Sequence, residues 1–325
     1  MKKTLNILLF LVTILSSKAQ DFSGITNKKD TSFTNLSALK SAQRDGYDVK
    51  IAKSKNAHLV KSEFDKIYCQ TDEYTLTVDI FSPKKRLEAS LPAIIFIHGG
   101  GWRTGDKSQH HELAKELASK GYVVFTPAYR LSTFALFPAA VIDVKTSIRW
   151  IKEHPKEFGI NTERIALGGY SAGGQMAAFI GTTSGLDRYE NGACKINQDT
   201  EVNAVIDVDG ILAYIHPESG EGDDRRSKSA ATSYFGYSKE ENPDLWIEGS
   251  ALKHVNEFSP PILFINSSVN RMHAGREDYI KLLDKHDIYS EIHTFKAPHV
   301  FPMMDRWFED TVELIDTFLI KIFNQ

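Results

Sequence analysis

Ser171 lies in Gly169-Tyr170-Ser171-Ala172-Gly173, and a serine hydroxyl flanked in this way is a candidate acyl-transfer nucleophile. The five-residue pattern alone is weak, because common residues produce it by chance. Its setting carries more information: the apolar run "RIAL" precedes it and the small-residue stretch "AGGQMAAFIG" follows. A strand that turns sharply into a helix lifts the serine clear of a sheet, and only glycines tolerate the close contacts on either side. The helix N-terminus then lies under Ser171, where its dipole favours developing negative charge. The alternative is a tight turn capped by a serine.

Acyl transfer passes through a tetrahedral oxyanion, which backbone N–H groups stabilise without adding a charge. His98-Gly99-Gly100-Gly101-Trp102 follows the apolar run "AIIFI" and offers such a stretch. A side chain at Gly100 or Gly101 would obstruct a carbonyl approaching those N–H groups. Gly100, Gly101 and Ala172 are therefore the expected oxyanion donors, with His98 bracing the loop.

A general base must complete the pair, and the chain holds 11 histidines. Position selects among them. His299 in "KAPHVFP" follows the last strand-like run and precedes the last helical one, where the C-terminal edge of a sheet presents it to Ser171. His293 falls inside the strand-like "SEIHTF". His110 and His111 open a helix expected at the surface, where both would be solvated. The expected base is His299.

These residues need a frame. "FDKIYCQ" and "YTLTVDIFSP" alternate apolar and polar residues, as half-buried antiparallel strands do. "AIIFIHG" and "GYVVFTPAYR" are continuous apolar runs, as expected of strands covered on both faces. Strand-like runs recur at "RIALGGYS", "VNAVIDVDG", "PPILFINSS" and "SEIHTFK". Helical periodicity marks 108–120, 138–155, 172–183, 275–286 and 305–323. Alternation of this kind predicts an α/β domain over 61–325 with a mostly parallel sheet and helices on both faces. The polar stretch 215–259 breaks the alternation and reads as an insertion after the sixth strand, over one end of the sheet. Residues 20–60 read as an N-terminal arm with little structure beyond one short helix.

The first 19 residues differ from the rest. Lys2 and Lys3, an apolar run from Leu5 to Leu15, and then Ser17-Lys18-Ala19 have the order of a cleavable export signal. That apolar run is too short to span a bilayer. Export to the periplasm or the medium is the expectation, with no membrane span. Cys69 and Cys194 are the only cysteines, and two separate buried thiols are expected slightly ahead of a pair. Apolar residues make up 42% and charged residues 25% of the chain, which excludes wholesale disorder. The formal charge of −3 and the lack of a basic run give no support to a nucleic-acid partner.

"HGGGW", "GYSAGG", "YRLS", "FPAAVIDVKTSIRW" and "APHVF" together resemble the α/β-hydrolase superfamily. Within it, they resemble the secreted bacterial carbohydrate esterases grouped with acetyl-xylan and feruloyl esterases, and the hormone-sensitive-lipase-like esterases. The resemblance covers about residues 64–323. It implies an eight-stranded sheet, a Ser–His–acid triad and ester hydrolysis, with no metal or organic cofactor required.

One position departs from that pattern. Such enzymes usually place the acid in the loop after the seventh strand, where this sequence reads "INSSVNRMHAGRED" and Asn270 stands in place of the aspartate. An amide does not stabilise imidazolium as a carboxylate does. Asp209, ending "VIDVD", is the preferred acid because pancreatic-type lipases take theirs from a similar place. Asp278 is the runner-up, Glu277 a further alternative, and a dyad without a strong acid remains open.

Trp102, beside the glycine loop, and Tyr170 are the expected substrate-binding residues. Tyr214, Tyr234, Phe235 and Trp246 offer further aromatic surface or, equally, core packing. Arg271 and Arg276 flank the acid loop, as readers of a uronate carboxylate or as surface ion pairs. The charged insertion suits a polar substrate. The expected substrate is an acylated polysaccharide or oligosaccharide of plant or algal origin, O-acetyl first and feruloyl second. Alternatives are a pectin-type methyl esterase, a general small-ester carboxylesterase, and a catalytically silent binding protein on a hydrolase scaffold.

Overall fold

The computed structural model describes residues 19–85 and 90–324. The export signal expected at 1–19 lies outside them save for Ala19.

Eight strands form one sheet: β1 (Val60–Gln70), β2 (Thr75–Pro83), β3 (Leu91–Ile97), β4 (Val123–Pro127), β5 (Ile160–Tyr170), β6 (Ala204–Val208), β7 (Ile262–Asn266) and β8 (Ser290–Thr294). Their order across the sheet is β1-β2-β4-β3-β5-β6-β7-β8. β2 runs antiparallel to both neighbours, and every pair from β4 to β8 is parallel. The alternation seen in β1 leaves part of that outer strand exposed, whereas β4, β6 and β7 are buried along their whole length.

Parallel neighbours need crossovers, and the helices that make them cover both faces. Val144 and Ile148 of the helix Ala139–Glu153 and Met176 and Phe179 of the helix Ala172–Thr182 pack with Ile95 and Ile97 on one side. Leu113 and Leu117 of the helix His111–Ser119 and Ile315 and Phe318 of the helix Asp305–Phe323 pack with Ile94 and Phe96 on the other. This is the α/β-hydrolase fold. Among the described residues, no helix is long and apolar enough to cross a membrane.

The insertion is less polar inside than its composition suggests. Its helices Ala230–Phe235 and Pro243–Glu248 bury Tyr234, Phe235 and Trp246, while Asp223, Asp224 and Arg225 stay at the exposed tip. Trp246, Phe235, Tyr214, Tyr234 and Trp102 form one aromatic cluster. These rings fill a core under the tip and are not a free sugar platform.

The arm carries the one expected helix, Asn35–Arg44, opened by a capping box between Thr34 and Ser37. Its irregular part is nevertheless held. Thr104 Oγ1 donates to Asp30 O at 2.9 Å and accepts from the Phe33 N–H, and Lys29 pairs with Asp106 at 2.9 Å. The arm thus docks on the segment that follows the three glycines.

Cys69 and Cys194 form a disulfide, against the expectation of two thiols. Gly192 packs on Ile142 and Thr146 of the helix Ala139–Glu153, so the loop containing Cys194 crosses that helix and reaches β1. Sequence spacing does not encode that long-range approach.

Candidate active site

The site lies at the C-terminal ends of the parallel strands. β5 ends at Tyr170, and Ser171 turns the chain with φ 56° and ψ −119° into the helix Ala172–Thr182. A Cβ on Gly169 would meet Gly173 C at 2.2 Å, and one on Gly173 would meet Ile97 O at 2.2 Å. The flanking glycines are therefore required by contact, not by sequence habit. The Ser171 N–H donates to Val208 O at 2.8 Å, which ties the turn to the end of β6.

The next residue after Val208 is Asp209, which leaves the strand at φ 56°. Its side chain is fully buried. Oδ1 accepts from the Ser267 N–H at 2.7 Å, and Oδ2 lies 2.8 Å from His299 Nδ1. His299 Nε2 lies 2.9 Å from Ser171 Oγ. The loop holding His299 is pinned to the one after β7: Ser268 N–H donates to Ala297 O, and Ala297 N–H donates to Ser268 Oγ, each at 3.0 Å. Ser171, His299 and Asp209 are thus brought into one hydrogen-bonded relay.

Asp278 is elsewhere. Its carboxylate pairs with Lys281 at 2.8 Å and faces His216, on the exposed side of the helix Arg276–Asp284. Glu277 pairs with Arg276 in the same helix. Asn270 starts an exposed turn of 3₁₀ helix. The amide there, which favoured a silent protein, is offset by a carboxylate arriving from β6. Nearby Asp207 lies within β6, is likewise fully buried and accepts from the Gly210 N–H at 2.7 Å. Burial pushes its carboxyl well above the usual range, with Asp209 adding to the effect. It shapes the turn beneath the acid.

Around Ser171 is a cavity of about 190 Å³, walled by Gly101, Trp102, Ala172, Ile211, Glu221 and His299 among others. The Ala172 N–H belongs to the first turn of its helix, where no intrahelical acceptor exists. Gly101 and Ala172 therefore meet on the cavity wall beside the serine. Gly100 does not line the cavity. Its carbonyl accepts from the Arg103 and Thr104 N–H groups, and at φ +120° a Cβ there would strike Thr104 O at 2.1 Å. A side chain at Gly100 would break the turn, a constraint the sequence did not show. His98 braces the loop: it stacks on Tyr129 at 4.4 Å, and burial pulls its imidazole down to about 4.

A family model described as BD-FAE matches residues 78–272, which is well over half of the chain. The chain belongs to the BD-FAE family. Among curated proteins, this BD-FAE chain is 27% identical over 201 residues to esterase LipC of Mycobacterium tuberculosis, covering 61% of this chain and 49% of that one. It is 33% identical over 133 residues to the probable carboxylic ester hydrolase LipM of the same organism, covering 41% of this chain and 30% of LipM. The chain thus spans half or less of the length of these relatives. Among solved structures, a truncated carbohydrate esterase from gut microbiota superposes with a TM-score of 0.69 at 19% identity, over 85% of this chain and 100% of that one. Propionate-bound Est2 of Thermogutta terrifontis superposes with a TM-score of 0.64 at 23% identity, over 80% and 94%. At these identities the superpositions speak to the fold.

Other expectations change in the BD-FAE site. Tyr170 is 1% exposed and lies under the relay, its ring 2.7 Å from where a Gly99 Cβ would be and 4.9 Å from the His299 ring. It packs against His299 and does not line the cavity. His110, expected in solvent, is buried against Phe96 and Tyr170, and burial pulls its imidazole down to about 3. His111 instead reaches Asp79 at 2.9 Å. Trp102 does line the cavity, but at 4% exposure, with Nε1 donating to Gln175 Oε1 at 3.0 Å and its ring stacked on Tyr234. It forms cavity wall, not an open platform.

Sequence reasoning missed Gln175, which joins Trp102 to Gly249 O, and Glu221, a carboxylate of the insertion that faces the cavity. Gln175 was findable, since it stands one turn after Ser171 on the elbow helix. No local signal separates Glu221 from the other acids near it.

Proposed function

We propose that this chain is an exported serine esterase that removes short acyl groups, O-acetyl first and feruloyl second, from plant or algal polysaccharides or oligosaccharides. The observation that carries this reading is the relay from Asp209 through His299 to Ser171. His299 Nε2 takes the Ser171 proton as Oγ bonds to the ester carbon. Asp209, held by Ser267, stabilises the imidazolium that forms. The Gly101 and Ala172 N–H groups face the oxyanion, with Gly100 shaping the turn behind them. Collapse releases the alcohol, which takes the proton from His299. Water then repeats the sequence, His299 taking its proton, and the free acid leaves with Ser171 restored.

The cavity volume favours a short acyl group. At about 190 Å³ it is below the roughly 300–1,000 Å³ of sites that enclose drug-sized ligands. The name of the gut carbohydrate esterase and the charged insertion tip support a carbohydrate substrate. The leader sequence and the disulfide support export. A general small-ester carboxylesterase is the second reading, favoured by the names of the curated relatives.

Hydrolysis of p-nitrophenyl acetate tests the chemistry. Ser171→Ala is expected to lose at least about 10³-fold in kcat. A fluorophosphonate probe is expected to label the wild type alone. Full activity in the variant overturns the assignment. Products from acetylated xylan, acetylated pectin and methylated pectin, compared side by side, separate the carbohydrate readings from the general one.

A further inference from the structure

The acyl-transfer steps above use every polar side chain of the relay and leave one carboxylate of the cavity unused. Glu221 lines the same cavity as Ser171 and His299, and its side chain is only 15% exposed. Among the described residues, no N–H or O–H group donates a hydrogen bond to it. The nearest cation is Arg271, whose Nη1 stands 3.5 Å from Oε1, beyond a good hydrogen bond. Burial raises the Glu221 carboxyl, and the neighbouring Arg271 and His299 oppose that rise.

Its backbone is fixed. The Glu221 N–H donates to Ser219 Oγ at 3.2 Å, and its carbonyl accepts from Lys239 Nζ at 3.3 Å. Gly222, next in the chain, turns at φ +74° with its Cα against the Trp246 ring. A half-buried carboxylate with one long ion pair and no donated hydrogen bond has acceptor positions to spare. Glu221 lines the cavity beside Ser171 and His299, where a donor on the substrate would come within its reach.

The chemistry of that donor follows from the pair. A carboxylate offers about four acceptor positions and suits hydroxyl groups. The guanidinium of Arg271 cancels the charge of Glu221, so a cationic substrate gains little from the pair. A uronate carboxylate would meet Arg271 only by approaching Glu221 as well, which opposes the uronate role considered for Arg271. A neutral sugar meets neither penalty.

We propose that Glu221, steadied by Arg271, reads the alcohol half of the ester by accepting a hydrogen bond from a free hydroxyl beside the acylated oxygen of a neutral sugar residue. This rests on the esterase reading above, with the acyl carbon at Ser171. The substrate class is then a partly acylated neutral glycoside with a vicinal hydroxyl.

The test uses the protein as the wild type and with Glu221→Gln or Glu221→Leu. Each sample is given methyl 2-O-acetyl-β-xylopyranoside and its 3-deoxy analogue, and the readout is the ratio of the two kcat/KM values. The ratio cancels the amount of folded protein. The wild type is expected to favour the hydroxylated substrate by about 10- to 100-fold. The preference should shrink in Glu221→Gln, which keeps one acceptor, and vanish in Glu221→Leu. An equal ratio in all three proteins overturns the proposal, as does a wild-type preference for acetylated methyl glucuronoside over the neutral sugar. Wild-type turnover of p-nitrophenyl acetate is measured alongside. If it is present while the ratios do not move, the role of Glu221 fails alone; if it is absent, the esterase reading fails and takes this inference with it.

Discussion

The backbone N–H of Ser267 donates to Asp209 Oδ1 at 2.7 Å, so the end of β7 aims a carboxylate that the end of β6 supplies. The second oxygen, Oδ2, is thereby left pointing at His299 Nδ1 at 2.8 Å. One carboxylate oxygen is used for position and the other for electrostatics. Nothing at Asn270 is needed for either.

Asp209→Asn tests that division. The Ser267 N–H still finds an oxygen, so the loop keeps its place, but the charge facing imidazolium is lost. By analogy with other triads, kcat on p-nitrophenyl acetate is expected to fall about 10⁴-fold. Asp278→Asn, on the exposed helix away from His299, is expected to leave kcat unchanged. The reverse ranking would return the acid to the loop after β7.

The parts of the site that were legible in the sequence are those where chemistry restricts residue type locally. Ser171 between its glycines and His299 between the last strand and helix are of this kind. Asp209 was legible only as a preference. "VIDVD" also holds Asp207, and in the structure the positive φ at Asp209 is what takes it out of the strand. No periodicity reports that. Tyr170 read as a substrate contact because a flat ring with a polar tip suits a sugar face, yet the absence of a side chain at Gly99, far away in sequence, lets its ring pack inward. Glu221 and the Cys69–Cys194 pair were illegible for the same reason. Their roles come from approaches across the fold, not from their neighbours in the chain.

Acid should loosen the join between the arm and the loop after the glycines. Asp106 caps the turn at Lys107–His110 by accepting from the Ser108 N–H, and it pairs with Lys29. Burial alone would raise its carboxyl, but the hydrogen bonds from Ser108 and Lys29 outweigh it and hold it at about 2, against an ordinary 3.8. A carboxyl lowered on folding stabilises the fold above its unfolded value and ceases to do so below its folded one. The stability difference between wild type and Asp106→Asn is therefore expected to be full above about pH 4 and to decline as pH falls towards about 2. Denaturant titrations of both proteins across that range check it. A difference that is constant with pH would show that the charge of Asp106 contributes nothing.

Gly100 and Gly121 separate a backbone requirement from a steric one. Both have positive φ, +120° and +111°, but a Cβ on Gly121 meets nothing within 4 Å, whereas one on Gly100 meets Thr104 O at 2.1 Å. Gly121→Ala is expected to cost about 1 kcal/mol in stability with activity unchanged. Gly100→Ala is expected to cost at least about 2–3 kcal/mol. It should also reduce kcat about 10²-fold, because the turn that sets Gly101 beside Ser171 is displaced. Thermal unfolding and ester hydrolysis of the two variants give the comparison. Equal losses in both would mean that backbone conformation alone matters at Gly100.

The disulfide joins residues 125 apart in the sequence, from the outer strand β1 to the loop beyond the helix Ala139–Glu153. A cross-link of that span removes conformational freedom from the unfolded chain, and losing a native one typically costs about 2–5 kcal/mol. β1 is separated from β5, which carries Ser171, by three other strands. The Cys69→Ser/Cys194→Ser double variant is therefore expected to melt about 5–15 °C below the wild type. Its ester hydrolysis per folded molecule at 25 °C should equal that of the wild type. A reductant should lower the wild-type Tm towards that of the double variant and leave the variant where it is. If reductant shifted both proteins equally, the effect would lie elsewhere than in the Cys69–Cys194 bond.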